Sequence, residues 1–482
     1  MPSVAVKLYS VYFKFMVKHR LQNRIQSVAG EPSNGKSDGF GVSTRSEESV
    51  AAASPVFVDG VATKDIHIDA FTSLSVRIFL PDTVISSDPD SKYWSSKAPN
   101  HNNPNSRSDF HRPSPKISRR GSFDPAGNPR ADLINAEQSR RNSYGFGVLK
   151  DPEGLKPDSG AYSGYLPSIE NKKEHFRKLP VMLQFHGGGF VSGSNESVAN
   201  DFFCRRIAKL CDVIILAVGY RLAPENRYPA AFEDGWKVLN WLAKQANLAE
   251  CSKSLVVANS RAGHSGGVGD AKRWDAQRQR HLVNDTFGSS MVEPWLAAHA
   301  DPSRCVLLGS SCGANIADYL SRRAIESERV LNPVKIVAQV LMYPFFTGSS
   351  PTQSEINLSN TYFFDKDMSS LAWKLFLPED EYSQDHPAGN PLVPNRGPPL
   401  YLMPPTLTVV AELDCMRDRA IAYSEALRKV NIDAPVLEYK DAVHEFATLD
   451  VLLKTPQAQA CAEDIAIWAK KYISIRGHEF SY

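Results

Sequence analysis

The sequence lacks any long hydrophobic run. A continuous apolar stretch such as VIILAV, Val213 to Val218, has the length of a strand, whereas a membrane-spanning helix needs about 18 or more apolar residues. The first residues, MPSVAVKLYSVYFKFMVKH, are interrupted by lysines and lack a clean apolar core followed by a cleavage site. We therefore expect neither a membrane span nor a secretory signal.

An excess of charge of one sign is also absent. The 482 residues include 55 basic and 53 acidic side chains, for a formal net charge of +2. Proteins that bind nucleic acid normally present concentrated positive charge to the phosphate backbone. The composition therefore gives no reason to expect nucleic acid as a partner.

Paired cysteine patterns are missing as well. The chain has seven cysteines, an odd number, with no CxxC motif and no paired-zinc spacing. A disulfide framework or a structural zinc site would normally show such spacing. We expect a reduced, cytoplasmic protein without a metal site.

Apolar residues are scarce in one long internal segment. From 86 to 115, 17 of 30 residues are Ser, Asn or Pro, and none is Leu, Ile, Val or Met. Such a segment cannot bury enough surface to offset its chain entropy. We expect a disordered insert at 84–175 and an expanded loop at 250–290, both within a domain spanning 55–475. Residues 1–54 form an amphipathic segment and a polar linker.

Between these breaks, short apolar runs alternate with amphipathic stretches. SVRIFLP, VMLQFH, VIILAVGY, CVLLGS, IVAQVLMYP, TLTVVAELD and PVLEYKDA are typical of strands, and FEDGWKVLNWLAKQA and RAIAYSEALRKV are typical of helices. Near-continuous apolar strands separated by helices predict an α/β domain around a mostly parallel sheet. Active groups in such sheets lie at the carboxyl ends of the strands.

Ser311 is the candidate nucleophile. The run RCVLL is followed by GSSCG, Gly309 to Gly313, and then by the predicted helix ANIADYLSRRAI. A G-x-S-x-G turn between a strand and a helix holds the serine hydroxyl above the sheet edge. An ordinary glycine-bearing turn is the alternative, but the strand before and the helix after favour catalysis.

A serine nucleophile needs a base, and the base needs an acid that orients it. Asp414 follows the predicted strand TLTVVAEL, and His444 follows VLEYKDAV. The order Ser, Asp, His is the one that nucleophile-elbow hydrolases use. Asp418 and, more weakly, Glu412 are rival acids. Asp418 falls inside the next predicted helix, so we favour Asp414.

The motif HGGGF, His186 to Phe190, predicts an oxyanion hole. Attack on an acyl carbonyl places negative charge on its oxygen, which backbone N–H groups can hold. We expect the donors to be the N–H groups of Gly188, Gly189 and Cys312, with Gly187 as part of the motif. His186 is expected to brace the loop, because His444 suits the role of base.

With these motifs in place, the sequence resembles the plant carboxylesterases of the hormone-sensitive-lipase-like branch of the α/β-hydrolases. The matching parts are HGGGF, YRLAPENRYPAAFED, GSSCGAN, LDCMRD and HEF, with SVRIFLP before them, and the resemblance covers about 55–82 and 176–475. It implies an α/β-hydrolase fold, short to medium acyl esters as substrates and no cofactor. It also implies an N-terminal cap over the acyl pocket and a triad of Ser311, Asp414 and His444.

The sequence departs from this family at two positions beside the nucleophile. The family usually has an acidic residue before the serine and alanine or serine after it, whereas this chain has Ser310 and Cys312. The missing acid would weaken the bonds that brace the site. Cys312 is expected to be a small buried side chain, or else to narrow the acyl pocket or be oxidisable.

The related gibberellin receptors suggest an alternative function. They share the fold and bind a hormone without hydrolysis, and their defining loss is the catalytic histidine. His444 is present in this chain. An enzyme is therefore favoured over a small-molecule receptor.

Two further segments suggest partners. Residues Met1 to Gln26 carry Val4, Leu8, Val11 and Phe15 at helical spacing among lysines, which fits either the cap or a surface helix on an anionic membrane. In the insert, RRGS and RRNS place Ser122 and Ser143 behind paired arginines, a pattern that basophilic protein kinases recognise.

Overall fold

The computed structural model describes residues 4–30, 49–69, 71–72, 74–85, 177–262, 292–394 and 396–474. Most of the predicted insert, with Ser122 and Ser143, and the predicted expanded loop beyond residue 262 lie outside the described residues.

The strands and helices alternate along most of the chain. The strands are β1 (Val61–Asp69), β2 (Leu74–Pro81), β3 (Leu179–Phe185), β4 (Ile214–Gly219), β5 (Ala300–Ser310), β6 (Ile336–Met342), β7 (Thr406–Ala411) and β8 (Val436–Tyr439). The helices are α1 (Val4–Gly30), α2 (Val198–Cys211), α3 (Ala230–Ala262), α4 (Pro294–His299), α5 (Cys312–Glu326), α6 (Glu328–Leu331), α7 (Gln353–Asn357), α8 (Lys366–Phe376), α9 (Arg417–Lys429) and α10 (Pro456–Ile473).

The eight strands form one sheet in the order β1-β2-β4-β3-β5-β6-β7-β8. β1 pairs antiparallel with β2, and β2 pairs antiparallel with β4. The remaining neighbours, from β4 through β8, are parallel. The predicted α/β fold with a mostly parallel sheet is confirmed, and β1 is a strand that the sequence reasoning missed.

Alternate residues of the central strands feed two separate cores. In β3, Val181 and Leu183 pack into one hydrophobic cluster with α3 and α5, whereas Met182 packs into the other with α2 and α10. Successive side chains of a strand point to opposite faces, so a strand covered on both sides must be apolar throughout. This explains why the central strands appear in the sequence as continuous apolar runs.

Helix α1 matches the helical spacing of the N-terminal segment, but its apolar stripe does not pack against the domain. Val4 is 73% exposed, and Leu8, Val11 and Phe15 are each 68% exposed. The opposite face docks instead, with Leu21 only 2% exposed within the main core. The prediction of a helix is confirmed. The spacing of its apolar residues did not predict which face of α1 packs against the domain.

Helix α3 is longer than the sequence indicated. It continues to Ala262, so the first part of the segment predicted as an expanded loop is helical. The sequence did not predict this part of the helix, because serines and alanines interrupt the regular spacing of apolar residues there.

A buried ionic cluster anchors α5, the helix that begins directly after Ser311. The carboxylate of Asp318, 1% exposed, lies 3.0 Å from Nε of Arg322 and 3.3 Å from Nη2 of Arg396. The hydroxyl of Tyr423 on α9 also donates to this carboxylate. Burial alone would raise the pKa of Asp318, but the two guanidinium groups outweigh it, so the pKa lies below its ordinary value.

Removal of this carboxylate should destabilise the protein strongly. Asp318→Ala leaves buried arginine charge without its partner, and we expect the free energy of unfolding to fall by about 3–5 kcal/mol. Urea denaturation followed by circular dichroism measures the change. Glu438→Ala is the matched control, since Glu438 is 36% exposed in a surface ion pair, for which about 0–1 kcal/mol is expected. Equal losses in both variants would contradict the anchoring role.

Candidate active site

Ser311 lies at a tight turn between β5 and α5. Its backbone has φ 51° and ψ −121°, a conformation that costs free energy for a residue with a side chain. The turn requires close approach of strand and helix: a Cβ on Gly309 would lie 2.1 Å from the carbonyl oxygen of Gly313. The G-x-S-x-G pattern therefore has a steric reason in this structure.

The structure brings together the three residues predicted as a catalytic triad. Oγ of Ser311 lies 2.9 Å from Nε2 of His444, and Nδ1 of His444 lies 2.7 Å from Oδ2 of Asp414. Each of the three is at most 2% exposed. Asp414 follows β7 and His444 follows β8, so neighbouring parallel strands deliver both side chains to the sheet edge where Ser311 lies.

The rival acids point elsewhere. Oδ2 of Asp418 accepts a hydrogen bond from the backbone N–H of Ser354 at 2.7 Å. Oε2 of Glu412 accepts one from the backbone N–H of Asp441 at 2.8 Å. Both carboxylates are engaged away from His444, so the geometry favours Asp414 as the partner of the imidazole.

Nearby carboxylates control the charge of His444. Burial lowers the pKa of the imidazole, but the charge of Asp414, the hydrogen bond to it and the charge of Glu445 act in the opposite direction and prevail. The pKa of His444 is therefore raised above its ordinary value of 6.5. A more basic imidazole is a stronger proton acceptor for a hydroxyl at 2.9 Å.

The glycine motif forms a tight loop beside Ser311. Gly188 has φ 106°, and its carbonyl oxygen accepts hydrogen bonds from the N–H groups of Val191 and Ser192. A Cβ on Gly188 would lie 2.3 Å from the carbonyl oxygen of Ser192. Only glycine fits this position, and the loop places its backbone against the nucleophile.

Cys312 and His186 support this loop from behind. The backbone N–H of Phe190 donates to Sγ of Cys312 at 3.1 Å, and the N–H of Gly189 also donates toward this sulfur. The imidazole of His186 stacks on the ring of Tyr220 with centroids 4.2 Å apart, and the Tyr220 hydroxyl donates to the His186 carbonyl at 2.8 Å. The sequence predicted the bracing position of His186 but not the contribution of Tyr220.

Both of these supporting groups are uncharged. Burial lowers the pKa of His186 to about 4 and raises the pKa of Cys312 to about 12. An oxidisable cysteine needs thiolate character and solvent access, and Cys312 is 0% exposed. The geometry thus favours a small buried brace over an oxidisable thiol.

The adjacent Ser310 Oγ is buried and has no hydrogen-bond partner among the described residues.

Glu445 also contributes to the site, although the sequence reasoning did not single it out. Its Oε1 accepts a hydrogen bond from the backbone N–H of Gly188 at 3.2 Å. The residue has φ 60°, an uncommon conformation for a side chain of this size. In the sequence, Glu445 is visible only as an acidic residue directly after the candidate base His444. Local pattern alone cannot assign such a residue to a site.

Aromatic residues close the site. The rings of Phe364 and Tyr343 each have centroids 5.4 Å from that of His444. A neighbouring cavity of about 190 Å³ has Trp373, Cys415 and Met416 in its lining but neither Ser311 nor His444. The three candidate residues are therefore enclosed by neighbouring side chains.

The described part of the chain offers no metal site and no membrane span. It contains no group of three or more His, Cys, Asp or Glu side chains arranged to hold a metal ion. None of its helices combines the length and the hydrophobicity needed to cross a bilayer.

Comparisons with known proteins agree with this architecture. The sequence matches the family model described as alpha/beta hydrolase fold over residues 182–448. It is 66% identical over 483 residues to probable carboxylesterase 16 of Arabidopsis thaliana, with 100% of both chains covered. It is 34% identical over 271 residues to a gibberellin receptor of the same plant, covering 56% of this chain and 60% of the receptor. A thermostable esterase from Pseudomonas putida, of known crystal structure, aligns with a TM-score of 0.50 and 16% identity over 87% of this chain and 86% of the esterase, a likeness that shows the fold alone.

Proposed function

Because the chain belongs to the alpha/beta hydrolase fold family, within the hormone-sensitive-lipase-like branch of plant carboxylesterases, we propose that it is a serine carboxylesterase that hydrolyses short to medium acyl esters. The observation that carries this proposal is the hydrogen-bonded chain from Ser311 through His444 to Asp414. The full-length similarity to a probable carboxylesterase supports it.

In the proposed reaction, Oγ of Ser311 attacks the carbonyl carbon of the ester while Nε2 of His444 takes its proton. The imidazolium then gives that proton to the departing alcohol, which leaves an acyl group on Ser311. Water, deprotonated by His444, attacks this acyl group, and the imidazolium returns the proton to Oγ of Ser311 as the carboxylic acid leaves. Asp414 holds the imidazole in the required tautomer and stabilises its charged form.

The oxyanion of each tetrahedral intermediate would be held by the N–H groups of Gly188, Gly189 and Cys312. Loss of one such donor typically costs about 3–4 kcal/mol of transition-state stabilisation. Two of these donors have other partners in the free protein, because Gly188 N–H binds Glu445 and Gly189 N–H faces the Cys312 sulfur. These N–H groups must therefore exchange their present partners for the oxyanion.

A small-molecule receptor is the alternative function, and the similarity to a gibberellin receptor supports it. A receptor does not need a base within 2.9 Å of the serine hydroxyl, as His444 is here. The enzyme is therefore the proposal, and the receptor becomes the conclusion if ester turnover is negligible and a small ligand binds tightly.

We expect Ser311→Ala and His444→Ala each to lower turnover by several orders of magnitude, and the double variant to be little worse, because a triad acts as a unit. The measurement is hydrolysis of p-nitrophenyl acetate and butyrate. Ser310→Ala is the matched control, since it removes a neighbouring hydroxyl that has no partner among the described residues. Equal rates in wild type and both triad variants would exclude the mechanism, and equal rates near background would favour the receptor.

The acid limb of kcat/KM should lie above pH 6.5. His444 must be neutral to accept the proton, and its pKa is raised because the charges of Asp414 and Glu445 outweigh the effect of burial. The rate should therefore fall as pH drops through this raised pKa. A pH profile for p-nitrophenyl butyrate tests the sign, and a limb at or below 6.5 would show that the neighbouring charges do not control the base.

We also propose that α1 is a cap over the site. Nζ of Lys14 lies 2.8 Å from Asp365, and Nζ of Lys18 lies 2.8 Å from Asp367, both at the start of α8. Nη1 of Arg24 donates to the carbonyl oxygen of Val191, directly after the glycine motif, at 2.6 Å. These contacts link α1 to the elements that border the triad.

The outer face of α1 fits peripheral contact with a membrane. Its exposed residues Val4, Leu8, Val11 and Phe15 form one apolar stripe. The helix has no acidic residue and several basic ones, a composition that favours anionic lipid surfaces. The two interpretations of the N-terminal segment therefore apply to different faces of one helix.

Deletion of residues 1–26 should change both KM and the chain-length preference for acyl esters, because the cap is lost. Lys14→Ala with Lys18→Ala should change KM in the same direction. Val11→Ser with Phe15→Ser should leave the kinetics unchanged but weaken sedimentation with phosphatidylserine vesicles. Unchanged kinetics after the deletion, together with lost vesicle binding, would leave only the membrane role.

One further partner and a compartment belong to the proposal. All seven cysteines are free thiols, which fits the reducing cytoplasm. A protein kinase acting on Ser122 and Ser143 would add charge beside paired arginines. Intact-mass analysis of protein from its native cells tests the modification, and a fluorescent fusion tests the location.

A further inference from the structure

Glu445 extends its carboxyl group into the gap between the glycine loop and the candidate nucleophile. Its Oε1 lies 3.2 Å from the backbone nitrogen of Gly188. A Cβ built on Gly187 would lie 2.0 Å from this oxygen and 3.3 Å from Cβ of Ser311. The carboxyl group therefore stands beside Ser311, at one of the N–H groups that the proposed mechanism assigns to the substrate.

The surroundings of this buried carboxyl group disfavour its ionised form. Within the described part of the chain, no lysine or arginine lies at ion-pair distance from it, and the titratable groups that face it are His444, Asp414, Cys312 and Tyr343. Burial raises the pKa of Glu445, although the charge of His444 and the hydrogen bond from Gly188 partly oppose the rise. A carboxyl that is costly to bury and faces a second carboxylate, Asp414, calls for an explanation beyond stability.

The position of the Glu445 carboxyl group at an N–H of the proposed oxyanion hole offers such an explanation. An oxyanion hole stabilises an oxygen that carries negative charge, and a carboxylate oxygen is such a group. The carbonyl oxygen of an ester must accept from the same N–H of Gly188 during attack. One N–H cannot serve both oxygens at full strength, and a carboxylate that stays nearby would also repel the developing oxyanion.

We propose that Glu445 is an internal competitor for the oxyanion hole: its Oε1 occupies the position of the ester's carbonyl oxygen in the free enzyme, and its side chain must turn away before Ser311 can attack. The inference rests on the proposed esterase function and deepens it, since it assigns to Glu445 a direct effect on how well any ester is processed.

Two substitutions separate occupancy from charge. Glu445→Ala removes the competitor, and kcat/KM for p-nitrophenyl acetate and butyrate should rise about tenfold or more, since a hydrogen bond to a charged group no longer has to be displaced. Glu445→Gln keeps the volume and an acceptor oxygen but loses the charge, so its increase should be smaller. Glu438→Gln, a surface carboxylate on β8, should match wild type.

A second measurement does not depend on turnover. Phenylboronic acid adds to a serine Oγ and places an anionic boronate oxygen in the oxyanion hole, so its inhibition constant reports access to that hole. It should fall in the order wild type, Glu445→Gln, Glu445→Ala. The acid limb of the pH profile should also move to lower pH in Glu445→Gln, because the charge of Glu445 helps to raise the pKa of His444. A purely structural side chain would not lower the inhibition constant, whereas the shift of the acid limb reports only that the charge of Glu445 acts on His444.

The outcomes distinguish the inference from the function on which it rests. If wild type exceeds Ser311→Ala but both Glu445 variants are equal to or slower than wild type, Glu445 is a brace or an oxyanion donor and the inference is wrong. If wild type, Ser311→Ala and both Glu445 variants are equally slow, the esterase proposal itself fails. If Glu445→Ala does not fold, the Gln variant still decides through its rate and its inhibition constant.

Discussion

The close approach of β5 and α5 at Ser311 is the constraint on which the site depends. Gly309 allows it, because a Cβ at that position would lie 2.1 Å from the carbonyl oxygen of Gly313. Gly313 in turn allows α5 to approach β3, since a Cβ there would lie 2.2 Å from the carbonyl oxygen of Phe185. Hydrogen bonds from Ser311 N–H to Met342 O, and from Phe345 N–H to Ser311 O, tie the same turn to the end of β6. A Cβ at either glycine would therefore push apart the elements that hold the Ser311 hydroxyl 2.9 Å from Nε2 of His444.

Charge is confined to a small part of this site. The polar groups behind the glycine loop are neutral: His186 has a pKa of about 4 and the Cys312 thiol one of about 12. His444 is hydrogen-bonded to the nucleophile, and the carboxylates of Asp414 and Glu445 act electrostatically on His444. Because so little other charge is buried nearby, the state of these three groups dominates the electrostatics of the reaction that we propose.

The departures from the family pattern beside the nucleophile have different structural consequences. Ser310 replaces the usual acid, and its hydroxyl has no partner in the described part of the chain, so the bracing expected from an acid is not supplied there. Sγ of Cys312 accepts a hydrogen bond from the backbone N–H of Phe190 at 3.1 Å. The thiol thus provides support to the loop from the other side of the nucleophile.

The central strands, the order of Ser311, Asp414 and His444 along the chain, and the glycine loop were predictable, because each depends on local pattern and on the rule that parallel strands share one edge. The sequence did not reveal β1, whose residues VATKDIHID mix polar and apolar side chains on an antiparallel strand at the sheet edge. Three features became visible only in the folded chain: the acid that contacts His444, the face of α1 that packs against the domain, and the position of the Glu445 carboxyl group. These depend on contacts between residues far apart in the chain, such as Gly188 and Glu445, and spacing along a sequence carries no record of such distances.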